Sequence, residues 1–159
     1  MCFMTEPRRV ADFPRPPAIE RVPERVRIVL GGCTIAETMQ AWRVLETTHP
    51  PTVYLPEGAF VAGTLTGSAR TSWCEWKGLA RYVSVRAGDR IEIDAGWTYP
   101  EPSPAYAVLR GHVAVYAGRM DSCWVGEERV IPQPGGFYGG WVTAAFIGPF
   151  KGSPGTEFW

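Results

Sequence analysis

Both lysines of the chain stand in the same local setting, an aromatic residue, Lys and Gly, as Trp76-Lys77-Gly78 and Phe150-Lys151-Gly152, beside 14 arginines. A chain that uses arginine for general charge and keeps lysine only beside aromatic rings gives that lysine a specific task. An ammonium is compact and its pKa follows its surroundings, whereas a guanidinium stays charged. Lys77 is therefore the first candidate for a catalytic amine or base, or for a cation that holds an anionic ligand. The competing reading is a structural cation lying over a ring such as Trp97, a common and modestly stabilising contact. Lys151 repeats the word in a Gly/Pro-rich tail and serves as an internal comparison.

Cys74 lies three residues before Lys77 and is a candidate nucleophile, because a neighbouring cation stabilises a thiolate. The alternative is an inert buried thiol, since no histidine is close in sequence to activate it. Glu46 is a candidate general acid or base, or a partner for Lys77; paired with Arg43 on the surface it would have no such role. Arg43 could hold a substrate carboxylate. Tyr54, Trp76, Tyr82, Trp97 and Tyr99 supply rings for an aromatic pocket or, equally, for core filling. His49, before Pro50-Pro51, reads as a loop histidine.

The elements that must position these residues read as short strands and turns. Arg25 to Leu30 runs into Gly31-Gly32 and returns through Cys33 to Ala36, a glycine-turn hairpin. Ala41 to Thr47 is open between a short helix and a strand, its helix formers favouring the helix. Val53-Tyr54-Leu55 is a strand closed by Pro56. Tyr82–Arg86 and Arg90–Asp94 form a hairpin through Ala87-Gly88-Asp89. Placing Val85 opposite Ile91 and Val83 opposite Ile93 puts apolar pairs on one face, with Ser84 and Tyr82 facing Glu92 and Asp94 on the other. Extended down the ladder, this register sets Leu79 opposite Trp97 and Lys77 opposite Tyr99, with Trp76 and Tyr82 on the opposite face. It predicts Lys77 at the mouth of the inner face, its pKa pulled down by burial.

The second half repeats the outline. Val113 to Gly118 with the return strand Cys123-Trp124-Val125 resembles the first hairpin, and Pro134-Gly135-Gly136-Phe137 echoes Pro56 to Phe60. The expectation is an all-β fold, a small barrel or sandwich of two similar β units with at most one or two short helices. Residues 1–23 form an extended Pro-rich arm and 24–159 a single domain, with an internal duplication of 24–104 and 105–159. The 18 Gly and 15 Pro fall between apolar runs, which argues for turns and against disorder.

Charge balances at 16 against 16 with no basic stripe, so no nucleic-acid partner is expected. Neither a signal peptide nor a membrane-length apolar run is evident, and the expected location is cytoplasmic. Cys2, Cys33, Cys74 and Cys123 are far apart, and with His49 and His112 they complete no metal-ligand spacing. Four reduced thiols, mostly buried, and no metal or other cofactor are expected.

Several multi-residue words occur in order: Arg43-Val44-Leu45-Glu46, Pro50-Pro51, Tyr54-Leu55-Pro56, Cys74-Glu75-Trp76-Lys77-Gly78, Ala80-Arg81-Tyr82 and Trp97-Thr98-Tyr99-Pro100. Longer words flank them, Asp12 to Pro17 at one end and Phe137 to Trp141 and Gly148 to Gly152 at the other. On these words the chain resembles the DUF427 family over about residues 10–159, with Glu75 standing where many relatives carry Pro. The resemblance implies an all-β domain and no particular activity. Some members carry a nucleotidyltransferase-like label. That chemistry needs paired acids holding Mg²⁺ beside a Gly-Ser phosphate turn, and only Glu92-Ile93-Asp94 offers the acids.

Three functional readings follow. The first is a small-molecule enzyme of unassigned reaction, with its pocket near Lys77, Trp97 and Tyr99 and with Lys77, Glu46 and Cys74 as catalytic candidates. The second is a non-catalytic module binding a small molecule or peptide end at the same mouth. The third is an assembly domain using the tail around Phe158-Trp159.

Overall fold

The computed structural model describes residues 6–153, 155–156 and 159. Its strands begin with β1 (Arg8–Arg9), β2 (Ala18–Arg21), β3 (Val26–Leu30), β4 (Cys33–Thr38) and β5 (Trp42–Leu45). They continue with β6 (Thr52–Pro56), β7 (Leu65–Cys74), β8 (Gly78–Ala87), β9 (Arg90–Thr98) and β10 (His112–Val115). The last are β11 (Ser122–Val125), β12 (Glu128–Arg129), β13 (Ile131–Pro132), β14 (Trp141–Val142) and β15 (Phe146–Ile147). Seven strands form one sheet in the order β2-β5-β6-β10-β9-β8-β7, and four form another, β12-β11-β3-β4. Two small pairs, β1 with β15 and β13 with β14, complete the set. The large sheet ends on β2 and β7, so the fold is an all-β sandwich and not a closed barrel.

Strand alternation divides the large sheet into two buried faces. Val53 and Leu55 of β6, Val83 and Val85 of β8, and Val113 and Val115 of β10 pack against Val26, Ile28 and Leu30 of the smaller sheet. Their neighbours Tyr54, Tyr82 and Ala114 turn to the other face, where they meet Trp97, Tyr99 and Tyr106. A run such as Val53-Tyr54-Leu55 is apolar throughout because both of its faces are covered. The aromatic face carries the candidate site.

The first hairpin forms as expected: Leu30 pairs with Cys33 across Gly31 and Gly32, at φ 60° and 75°. Both values require the left-handed region that glycine adopts without cost. Residues 41–47 do not form the favoured helix. β5 hydrogen-bonds to β2 on one side and β6 on the other, and pairing on both edges outweighs local propensity.

The β8–β9 hairpin exists, but in another register. Arg86 faces Ile91, Val85 faces Glu92, and then Val83 faces Gly96 and Tyr82 faces Trp97. Ile93 to Ala95 bulge against Ser84 alone, with Asp94 at φ 53° and its N–H donating to Ser84 Oγ at 3.2 Å. Ile91 and Ile93 are consequently exposed, and their valine pairings are lost. Lys77 lies in the β7–β8 turn and not in a ladder opposite Tyr99. The second-half hairpin also does not form: β10 joins the large sheet and β11 pairs with β3 in the smaller one. Strands from 105–159 thus interleave with those from 24–104.

In the N-terminal segment, Val10 is fully buried, Phe13 packs edge-on to Phe146 at 5.8 Å, and β2 adds a strand to the large sheet. Met1 to Thr5, including Cys2, lie outside the described residues. Of the other thiols, Cys33 is exposed, Cys74 half-buried and Cys123 buried, so the expectation of mostly buried thiols holds only in part. No helix among the described residues is long and apolar enough to cross a membrane.

Glu20 on β2 is clamped by Arg43 at 2.6 Å and Arg8 at 2.9 Å. Burial alone would raise its carboxyl, but the hydrogen bonds from the two arginines outweigh it and hold Glu20 below its usual value. A depressed carboxyl stabilises the fold above the unfolded pKa and loses that contribution as pH falls through the folded one. Glu20→Gln is expected to cost about 1 kcal/mol at pH 7 because the clamp is partly solvent-exposed. The loss should vanish in acid, at a pH below the lowered folded value, where the carboxyl is protonated in both states, as denaturation midpoints at the two pH values would show. An equal loss at both pH values would remove the charge argument.

Candidate functional site

On the aromatic face a cavity of about 340 Å³ gathers residues from β6, β7, β8 and β9, closed by the segment around Gln133 to Gly139. The bulge in β9 makes this possible. By setting Trp97 opposite Tyr82 it turns both rings to one face, where Tyr99 follows, contrary to the opposed faces expected for them. Trp97 is fixed by its indole N–H, which donates to the Tyr54 hydroxyl at 3.3 Å, and by the Tyr116 ring at 4.8 Å. The Ser72 and Tyr82 hydroxyls lie 3.3 Å apart at the same wall.

Lys77 is 6% exposed and its Nζ lies 5.7 Å from the centre of the Tyr99 ring. The tight turn from Cys74 to Gly78 carries it there, with Gly78 at φ 103°. Burial pulls the ammonium down, but Tyr54, Cys74 and Glu46 together more than offset it. Lys77 therefore sits above the ordinary lysine value and is charged at neutral pH, opposite to the direction expected from burial alone. The Cys74 side chain is a hydrogen-bonding neighbour of this ammonium. Burial raises Tyr54 and Tyr99, so both phenols stay protonated. Burial, with Tyr82 beside it, pushes Tyr116 up to about 12.

Glu46 stands in the wall between this cavity and a second one of about 260 Å³, which also holds Arg15, Lys151 and Trp76. His49 occupies the same shared wall. Burial is the largest influence on His49 and keeps it below the ordinary histidine value, against the pull of Glu46. Its ring packs edge-on to Tyr138 at 4.7 Å. Lys151 mirrors Lys77 in part: its Nζ lies 5.4 Å from the Tyr138 ring and precedes Gly152 at φ 118°. It also donates to the Trp159 carbonyl at 3.0 Å, whereas no oxygen acceptor binds Lys77 Nζ among the described residues.

A sequence profile described as a domain of unknown function, DUF427, matches residues 18–126. The chain belongs to the DUF427 family. No curated protein matches the sequence. The DUF427 span supplies Glu46, Tyr54, Cys74, Lys77, Tyr82, Trp97 and Tyr99 to the cavity, while Gln133, Phe137, Tyr138 and Gly139 complete it from beyond that span.

Two of the expected site residues stand elsewhere. Arg43 is taken up by Glu20 and lies over the Phe146 ring at 5.1 Å, away from the cavity, so it forms neither a ligand clamp nor a pair with Glu46. Trp76 lines the second cavity. Of the acid pair Glu92 and Asp94, Glu92 is held by Arg119 at 3.2 Å.

Sequence reasoning missed Arg70, which lies over the Tyr82 ring at 4.4 Å in the cavity wall, and the positions of His49, Tyr116 and Gln133 in the same wall. Arg70 sits on β7, whose Thr-, Ser- and Gly-rich sequence carries no apolar alternation. For His49 the legible signal was its position three residues after Glu46.

Proposed function

We propose that the aromatic cavity is the active site of a small-molecule enzyme in which Lys77 acts as a placed cation and Cys74 as the nucleophile. The observation that carries this reading is a buried, charged lysine beside a half-buried thiol, facing a cavity walled by Tyr54, Trp97 and Tyr99. A charge held away from water in this way is concentrated at functional sites. Because Lys77 keeps its proton, its role is to orient, polarise or protonate a polar group, not to act as a neutral amine. Glu46 is placed to balance it.

Lys77→Met removes the cation that a Cys74 thiolate would lean on. Alkylation of Cys74 by iodoacetamide at pH 7, with exposed Cys33 as internal reference, is expected to slow about ten-fold in the variant. An unchanged Cys74 rate in a folded variant would remove the nucleophile.

Non-catalytic binding in the same cavity is the second reading, favoured by the upward shift of Lys77, since a permanently charged ammonium is a good anchor. A Cys74→Ala variant that binds its ligand unchanged, with no product from the parent chain, selects it. For assembly through the tail, Phe158 lies outside the described residues.

A further inference from the structure

Gln133 is 4% exposed and ties three segments together. Its Oε1 accepts the Gly140 N–H at 3.0 Å, and its Nε2 donates to the Lys151 carbonyl at 2.9 Å. A backbone N–H can only donate and a carbonyl can only accept, so these two contacts fix which end of the amide is oxygen and which is nitrogen. The same Nε2 lies 2.9 Å from His49 Nδ1. Nδ1 must therefore accept, and a ring that accepts at Nδ1 carries its proton on Nε2. With Nδ1 occupied, His49 has no free lone pair with which to serve as a base. Its remaining polar group is the Nε2–H.

His49 stands in the wall of the cavity that also contains Lys77, and Lys77 is among the charges that act on its ring. Lys151, from another segment, and Glu46, three residues before His49, act on the same ring. Within the cavity the cations Lys77 and Arg70 outnumber the single carboxylate of Glu46, which is shared with the second cavity. Donors at the polar wall and flat rings around them describe a receptor for an acceptor group on a planar body. We propose that His49 is a neutral hydrogen-bond donor of this cavity, its Nε2–H acting with the Lys77 ammonium to hold the carboxylate of a planar aromatic small molecule, with Gln133 fixing the ring's tautomer. The proposal rests on the cavity being a small-molecule site, but not on Cys74 being a nucleophile.

The test is imidazole nitrogen NMR on the ¹⁵N-labelled full chain at pH 7, titrated with benzoate as the probe. The expected result is a protonated Nε2 and an unprotonated Nδ1 at His49, both shifting saturably as millimolar benzoate is added. Lys77→Met and His49→Phe should each weaken benzoate binding about ten-fold or more. His49→Gln keeps a donor near the Nε2 position and should bind within about three-fold of the parent chain. Gln133→Glu, which turns the donor into an acceptor, should move the proton to Nδ1 or charge the ring.

An Nδ1–H tautomer or a charged His49 in the parent chain at pH 7 overturns the proposal. So does benzoate that leaves the His49 nitrogens unmoved, or a folded His49→Phe that binds it normally. The enzyme reading fails separately: benzoate binding through His49 alongside a Cys74 rate indifferent to Lys77 leaves the receptor and removes the nucleophile.

Discussion

Trp141→Ala is expected to lose about 3–5 kcal/mol of folding stability, read from denaturant midpoints, with a fall in Tm of roughly 10 °C or more. Trp141 is 1% exposed and belongs to the main core between the two sheets. Its indole N–H donates to the Val115 carbonyl at 3.1 Å, and its backbone N–H to the Pro51 carbonyl at 2.8 Å. Truncation removes the ring, leaves a cavity that rigid strands cannot close, and strips a partner from Val115. A domain stable by about 5–15 kcal/mol cannot absorb such a loss lightly. Trp141→Phe keeps a six-membered ring in the core while losing the hydrogen bond and part of the indole volume, and is expected to cost less than Trp141→Ala. Trp141 lies beyond residues 18–126, so a large loss also makes the C-terminal segment an integral part of the core. A Trp141→Ala chain with the parent midpoint would mean that this segment lies on the core without holding it.

The fold class was legible because turn residues punctuate short apolar runs throughout the chain, and the Gly31-Gly32 hairpin was legible down to its pairing. The β8–β9 register was not. Matching Val85 and Val83 to Ile91 and Ile93 assumed an unbroken ladder, whereas the bulge at Ile93 to Ala95 is set by Asp94 in the left-handed region and its bond to Ser84. Asp is one of the few residues that tolerates this conformation, but nothing local distinguishes it from an ordinary turn acid. That single bulge brings Trp97 opposite Tyr82, so the error in register became an error about which rings share the pocket. Lys77 itself stood out by its rarity. The direction of its pKa shift was misread because burial was visible in the sequence pattern, while the approach of Tyr54 and Glu46 from distant segments was not. The partner of Arg43 was illegible for the same reason, Glu20 lying on a strand inside the proposed arm.

Gly139→Ala is expected to reshape the cavity without unfolding the chain. A Cβ at Gly139 would fall 2.0 Å from Cη2 of Trp97 and 2.8 Å from its Cζ3, far inside van der Waals contact. The ring cannot easily yield, because the Tyr54 hydroxyl holds its indole nitrogen and Tyr116 packs against its face. The segment from Phe137 to Gly140 must move instead, at a cost of about 1–3 kcal/mol for overpacking. Gly140 is bonded through both its N–H and its carbonyl to Gln133, so that movement reaches the amide that orients His49. Tryptophan emission should shift, the His49 nitrogens should change resonance, and benzoate affinity should fall about ten-fold or more. Gly67→Ala is the control: its Cβ would meet nothing within 4 Å, and it should change stability by less than about 0.5 kcal/mol. A Gly139→Ala chain with parental stability, emission and His49 spectrum would mean that Trp97 swings aside freely, and a cavity with so loose a wall could not hold Lys77 and His49 in register for one ligand.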